Sequence, residues 1–205
     1  MRVLQAFAFL FAFCPPLTAT AQGIDPWKSI TPSKEEQKAK AATKGDKKNT
    51  KTAQAGSNTL TLETTKGTIV IRLRTDLAPG HAKRLRQLAG EGFYNNVPFH
   101  RVIEGFMAQT GDGQNGNGTG GSRYPDLKAE FSNVPFRRGI VGMARKGGDN
   151  NSANSQFFIM FAEQSSLNGQ YTVIGEVVQG MDVVDKINRG EPPRTPDKIV
   201  RAIAN

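Results

Sequence analysis

The chain has 205 residues, a formal net charge of +9 and one cysteine, Cys14. That length suits one domain with extensions rather than two full domains. Cys14 falls in a segment expected to be removed, which excludes disulfide scaffolding and thiolate chemistry from the mature chain.

Arg2, the apolar run from Val3 to Phe13, Pro15–Pro16 and Ala19–Thr20–Ala21 form the pattern of a secretory signal peptide, with cleavage predicted after Ala21. The run is too short to span a bilayer, which takes about 20 apolar residues. An uncleaved anchor is the alternative reading. A lipid on Cys14 is another, although Phe11 and Phe13 stand where small residues would be expected. Export, to the periplasm or the exterior, rests on this segment alone.

Residues 22–58 carry Lys28, Lys34, Lys38, Lys40, Lys44, Lys47, Lys48 and Lys51 among Ala, Thr, Gln, Gly and Ser, with Trp27 as the only aromatic. Such a stretch buries too little apolar surface to offset its chain entropy and is expected to be a disordered, Lys-rich linker. Its charge serves either as a solvated spacer or for weak contact with an anionic surface.

Residues 59–205 form the expected folded domain. Thr59–Thr64 and Thr68–Leu73 alternate polar and apolar residues around Lys66–Gly67, which predicts a hairpin. Pro79 opens a helix in which Ala82, Leu85, Leu88 and Ala89 recur at helical spacing, with Thr75 and Asp76 as candidate caps and Gly90 and Gly92 at its close. Strands are expected at Pro98–Val102 and Met107–Thr110. Gly111 to Gly121 is a glycine- and asparagine-rich loop that lacks the phosphate-binding pattern. Further strands are expected at Ile140–Ala144, Gln156–Met160, Val173–Val178 and Ile199–Ile203, and a second helix at Met181–Ile187. Strands outnumber helices without regular alternation, so a closed antiparallel barrel with two helices is the expected class.

Function is concentrated in two runs. Phe99–His100–Arg101–Val102–Ile103, continuing through Gly105–Phe106–Met107–Ala108–Gln109, combines a guanidinium, an amide and large apolar side chains around a turn. Asn154–Ser155–Gln156–Phe157–Phe158–Ile159 supplies a second half. This is the composition of a shallow apolar pocket with a positioned donor. Neither a metal-ligand spacing nor an acid–base dyad is present in these runs. Alternation sends neighbours to opposite faces, so some of Phe99, Val102, Phe157 and Ile159 are expected in the core. His100 reads as structural, and His81 as a helix-start residue.

These runs resemble cyclophilins, a class of peptidyl-prolyl cis/trans isomerases. The resemblance spans about Leu60 to Ile203 and includes Gly92–Phe93–Tyr94, Gln109–Thr110–Gly111–Asp112, Gly118–Thr119–Gly120–Gly121, Met143–Ala144, Tyr171–Thr172–Val173 and Gly180–Met181–Asp182–Val183–Val184. Ala78–Pro79–Gly80–His81 is similar to bacterial members. It implies a mainly β fold: a closed antiparallel eight-stranded barrel capped by two helices, here behind the disordered N-terminal arm. It implies no cofactor, proline-containing unfolded or flexible polypeptides as partners, no specific nucleic acid, and a role in protein folding.

By the same resemblance, Arg101 matches the catalytic arginine. Phe106, Met107, Phe158 and Leu167 match the walls that accept the proline ring, and Gln109 a residue that holds the substrate backbone. Ala144 and Gln156 match rim positions, and Gly118 lies beside the neighbouring subsite. Tyr171 replaces a frequent histidine on the pocket wall. Ser166 stands where many members carry tryptophan, so cyclosporin binding is expected to be weak. Arg145 stands where asparagine is frequent and adds a positive charge beside the groove. The alternatives to an isomerase are a peptide-binding chaperone that keeps the barrel without rate acceleration, and an adhesin working through the basic arm.

Overall fold

A computed structural model describes residues 58–205. The expected signal peptide, and the expected linker except Asn58, lie outside these residues. The chain first forms the predicted hairpin, β1 (Thr59–Thr64) and β2 (Gly67–Leu73), paired antiparallel from Thr59↔Arg72 to Thr64↔Gly67. Its inward residues Leu60, Leu62, Ile69, Ile71 and Leu73 are all buried.

Helix α1 (Pro79–Gly90) lays Ala82, Leu85, Leu88 and Ala89 on the same core. Its N-terminus departs from expectation: neither Thr75 nor Asp76 caps it. Asp76 instead holds Arg74, whose Nη2 donates to Asp76 Oδ2 at 2.7 Å. The carboxylate that accepts the first helical N–H groups belongs to Glu130. Gly80 N donates to Glu130 Oε1 at 3.0 Å and His81 N to Oε2 at 3.1 Å. The fully buried His81 ring places Nδ1 2.5 Å from Glu130 Oε2.

Seven strands follow: β3 (Val97–Pro98), β4 (Arg101–Ile103), β5 (Met107–Thr110), β6 (Ile140–Met143), β7 (Phe157–Met160), β8 (Val173–Gln179) and β9 (Lys198–Ala204). Between β8 and β9 stands α2 (Met181–Asp185), shorter than the predicted Met181–Ile187. All strands join one antiparallel sheet in the order β3-β9-β1-β2-β8-β6-β7-β5-β4.

The expected closed, eight-stranded barrel is corrected here to a curled, nine-stranded sheet. The stretch Pro98–Val102 is not one strand. Val97–Pro98 pairs with β9, whereas Arg101–Ile103 pairs with β5. These are the two edges of the sheet, so the link Phe99–His100 carries the chain from one edge to the other. Among the described residues no ladder joins β3 to β4. Pro98 has no N–H to offer a ladder, and its carbonyl accepts from Thr110 Oγ1 at 2.9 Å.

The curled sheet has apolar residues on both faces. Phe99, Val102, Ala108, Phe157 and Ile159 enter the main core with α1. Their strand neighbours Met107, Phe158 and Met160 point the other way and join Phe136 and Val173 in a second cluster. Period-two alternation thus divides one run, Phe157–Met160, between core and site.

Candidate active site

Arg101 lies opposite Gln109 on β5, Gln109 opposite Phe158 on β7, and Phe158 opposite Gly142 on β6. This lateral row puts a guanidinium, an amide and an aromatic ring on one face of the sheet. Gly142 is required for the row: a Cβ there would stand 2.6 Å from both Phe136 Cε1 and Phe158 Cζ. Phe136, Phe158 and Tyr171 pack together behind it, with Phe136 and Phe158 stacked and the Tyr171 ring edge-on to Phe158, their centroids 5.7 Å apart.

Over this floor lies a hollow of about 140 Å³ bounded by Arg101, Phe106, Met107, Gln109, Ala144, Phe158, Leu167 and Tyr171, together with Arg145. Eight predicted site residues therefore meet around one cavity. The other two, Gln156 and Gly118, border an adjoining polar hollow of about 350 Å³, which shares Gln109, Ala144 and Arg145 with the first. Ser166 is exposed in the single turn Ser165–Leu167 and contributes nothing to the wall, whereas Leu167 does.

Arg101 is fixed from one side. Its Nε donates to Glu191 Oε2 at 3.0 Å, and neither terminal nitrogen has a partner among the described residues. Glu191 is delivered by a loop latched to β4 through reciprocal Val102–Gly190 backbone hydrogen bonds of 2.8 Å. The same loop is held by Arg189, whose Nε donates to Glu104 Oε2 at 2.6 Å.

The amides form a relay. Gln109 Nε2 donates to Gln156 Oε1 at 2.9 Å, and Gln156 Nε2 donates to the carbonyls of Gly118 at 2.9 Å and Gly120 at 2.8 Å. Those carbonyls are placed by Asp112, whose role the sequence reading missed. Its buried carboxylate accepts the backbone N–H groups of Gln114, Asn115, Asn117, Gly118 and Gly120. Burial raises its pKa, but the backbone donors outweigh that cost and hold it at about 2. A Gly-Asp pair ahead of a glycine-rich loop is the available sequence signal for such a carboxylate.

His100 does not face the hollow. It is buried beneath the loop, and a Cβ on Gly118 would come within 3.0 Å of its ring. Burial lowers its pKa, against the opposing pull of Asp112, so near neutral pH it carries no charge.

The family model for "Cyclophilin type peptidyl-prolyl cis-trans isomerase/CLD" matches residues 59–204. The chain belongs to the cyclophilin family. It is 54% identical over 168 residues to a "Probable peptidyl-prolyl cis-trans isomerase" of Brucella suis, covering 75% of this chain and 85% of the relative. A Helicobacter pylori peptidyl-prolyl cis-trans isomerase is 39% identical over 133 residues, or 64% of this chain and 80% of that one. The cyclophilin AquaCyp293 from Hirschia baltica shares the fold with a TM-score of 0.67 and 30% identity, over 72% of this chain and 74% of that chain. A Cryptosporidium parvum cyclophilin, crystallised in the presence of the dipeptide Ala-Pro, has a TM-score of 0.67 and 27% identity, over 72% and 98%. This cyclophilin is accordingly a peptidyl-prolyl cis-trans isomerase.

Proposed function

We propose that this cyclophilin isomerises X-Pro bonds of exported polypeptides and so assists their folding, with Arg101 as the catalytic residue. The observation that carries the site assignment is the hollow walled by Phe106, Met107, Phe158, Leu167 and Tyr171, which Arg101 borders with its terminal nitrogens unpaired among the described residues. Rotation about a peptide bond is opposed by amide resonance, a barrier of about 18–20 kcal/mol. No covalent bond breaks, so neither nucleophile nor metal is required.

Phe106, Met107, Phe158 and Leu167 grip the pyrrolidine ring, with Tyr171 completing the wall. Gln109 holds the substrate backbone, with Ala144, Gln156 and Gly118 on the rim. As conjugation is lost, the prolyl nitrogen becomes pyramidal and gains a lone pair. A donor held by Arg101 interacts better with that twisted state than with the planar amide, and only this difference accelerates the step. The guanidinium suits the task because it keeps its charge and presents a rigid fork of donors. One such hydrogen bond contributes about 1.5–3 kcal/mol, so ring orientation and water exclusion must supply part of the acceleration.

Export is supported by the leader pattern of Arg2 to Ala21, and the Lys-rich stretch that follows is a spacer able to touch anionic surfaces. Cyclosporin binding is weak, because exposed Ser166 offers neither the area nor the N–H of an indole. NMR exchange on an Ala-Pro peptide tests the activity, and a reporter fused after Ala21 tests export. Deleting residues 22–57 leaves turnover of a short peptide unchanged if they are a spacer. Peptide binding without exchange enhancement would instead favour a chaperone without catalysis.

A further inference from the structure

Arg145 borders both the proline-sized hollow and the polar hollow beside it. Three cations stand on this groove, and two are matched by acids of the chain itself. Arg101 is paired with Glu191, and Lys146 Nζ lies 3.2 Å from Asp126 Oδ2. Arg145 has no carboxylate partner among the described residues. It is nevertheless held in place: its guanidinium lies over the Tyr171 ring, 4.6 Å from the centroid. Its Nε donates to Gln170 O at 3.2 Å and its Nη1 to Lys146 O at 3.3 Å.

A fixed, half-buried guanidinium without a counter-charge is a donor site suited to a carboxylate. Holding it by ring stacking and backbone carbonyls settles its orientation in advance while leaving Nη2 unengaged. The acid that could compete for it within the polar hollow, Asp126, is already taken by Lys146 and by Asn154 Nδ2 at 2.8 Å. An extended peptide advances about 3.3 Å per residue. With its proline in the smaller hollow, it therefore brings the flanking side chains past Arg145 within two residues.

We propose that Arg145 makes this site select proline-containing peptides that carry an aspartate or glutamate within two residues of the proline. The proposal deepens the isomerase reading and rests on it for the position of the proline. The test uses the full-length protein and a set of short peptides with Glu, Gln or Lys at each of the two positions on either side of one proline. Both binding, by NMR titration, and turnover, by exchange spectroscopy, are measured.

At low salt the Glu peptide should exceed its Gln counterpart about fivefold at one position or more, the size of a single well-held ion pair. The ratio should fall as ionic strength rises. R145Q should bring it close to unity, and R145E should favour the Lys peptide. R145K, with charge but no fork, should keep part of it. Equal binding of Glu and Gln peptides by the wild type, or a preference undiminished in R145Q, overturns the proposal. Turnover absent with every peptide would count against the isomerase reading, and the binding ratio would still decide this one.

Discussion

Arg101 Nε donates to Glu191 Oε2 at 3.0 Å, so the guanidinium that borders the hollow is held by its inner nitrogen, and its two terminal nitrogens have no partner among the described residues. Both side chains are substantially exposed, and such a pair adds little stability. Its consequence is orientation. E191A should lower kcat/KM about threefold to tenfold through kcat, with an unchanged melting temperature. E191Q, whose amide oxygen still accepts from Nε, should recover most of that loss. Equal turnover in E191A and wild type would remove Glu191 from the mechanism.

Gly142 underlies the Phe158 ring, and a methyl group there meets both Phe136 and Phe158 at 2.6 Å. G142A should therefore cost about 1–3 kcal/mol by overpacking and push Phe158 into the hollow. Chemical denaturation measures the first effect, and a rise in KM for a proline peptide the second. A variant as stable and as tight-binding as wild type would show that the ring has other space.

Glu130 caps α1 from a position 50 residues away in sequence from Gly80. E130A removes the acceptor for two backbone N–H groups and leaves the buried His81 ring without its partner. The expected loss is about 2 kcal/mol, seen as a lower denaturation midpoint at constant slope. No change in midpoint would mean that water replaces the carboxylate without cost.

The lateral arrangement of Leu60, Leu62, Ile69 and Ile71 was legible because local alternation alone fixes it. The gathering of Arg101, Gln109 and Phe158 was legible because short motifs carried it. What escaped was non-local. Pro98–Val102 is expected from sequence as one strand, yet its ends pair with β9 and β5, a division set by which edges the curling sheet brings together. Thr75 and Asp76 are the candidate caps of α1 in sequence, whereas the carboxylate that accepts from its first turn is Glu130, brought there by the fold. Arg145 was recognised as a charge, but its stacking on Tyr171 requires knowing that residues 145 and 171 meet.

Asp112 links the glycine loop to acid stability. Its pKa in the folded chain is about 2, below the unfolded value of about 3.9. A depressed carboxylate stabilises fully above the unfolded value and loses that contribution as pH falls through the folded one. Urea unfolding should show the gap between wild type and D112N narrowing from pH 5 down to pH 2, by about 1.4 kcal/mol for each unit of pKa difference. A gap independent of pH would mean that the charge of Asp112 contributes nothing.

The most direct test of the catalytic account is exchange of an X-Pro peptide measured with wild type, R101A and R101K, all confirmed as folded. R101A should lose about 10–100-fold in kcat/KM, the equivalent of one charge-assisted hydrogen bond, and R101K should regain little of it because it lacks the fork. Turnover by R101A within about twofold of wild type would contradict the claim that this guanidinium stabilises the twisted amide.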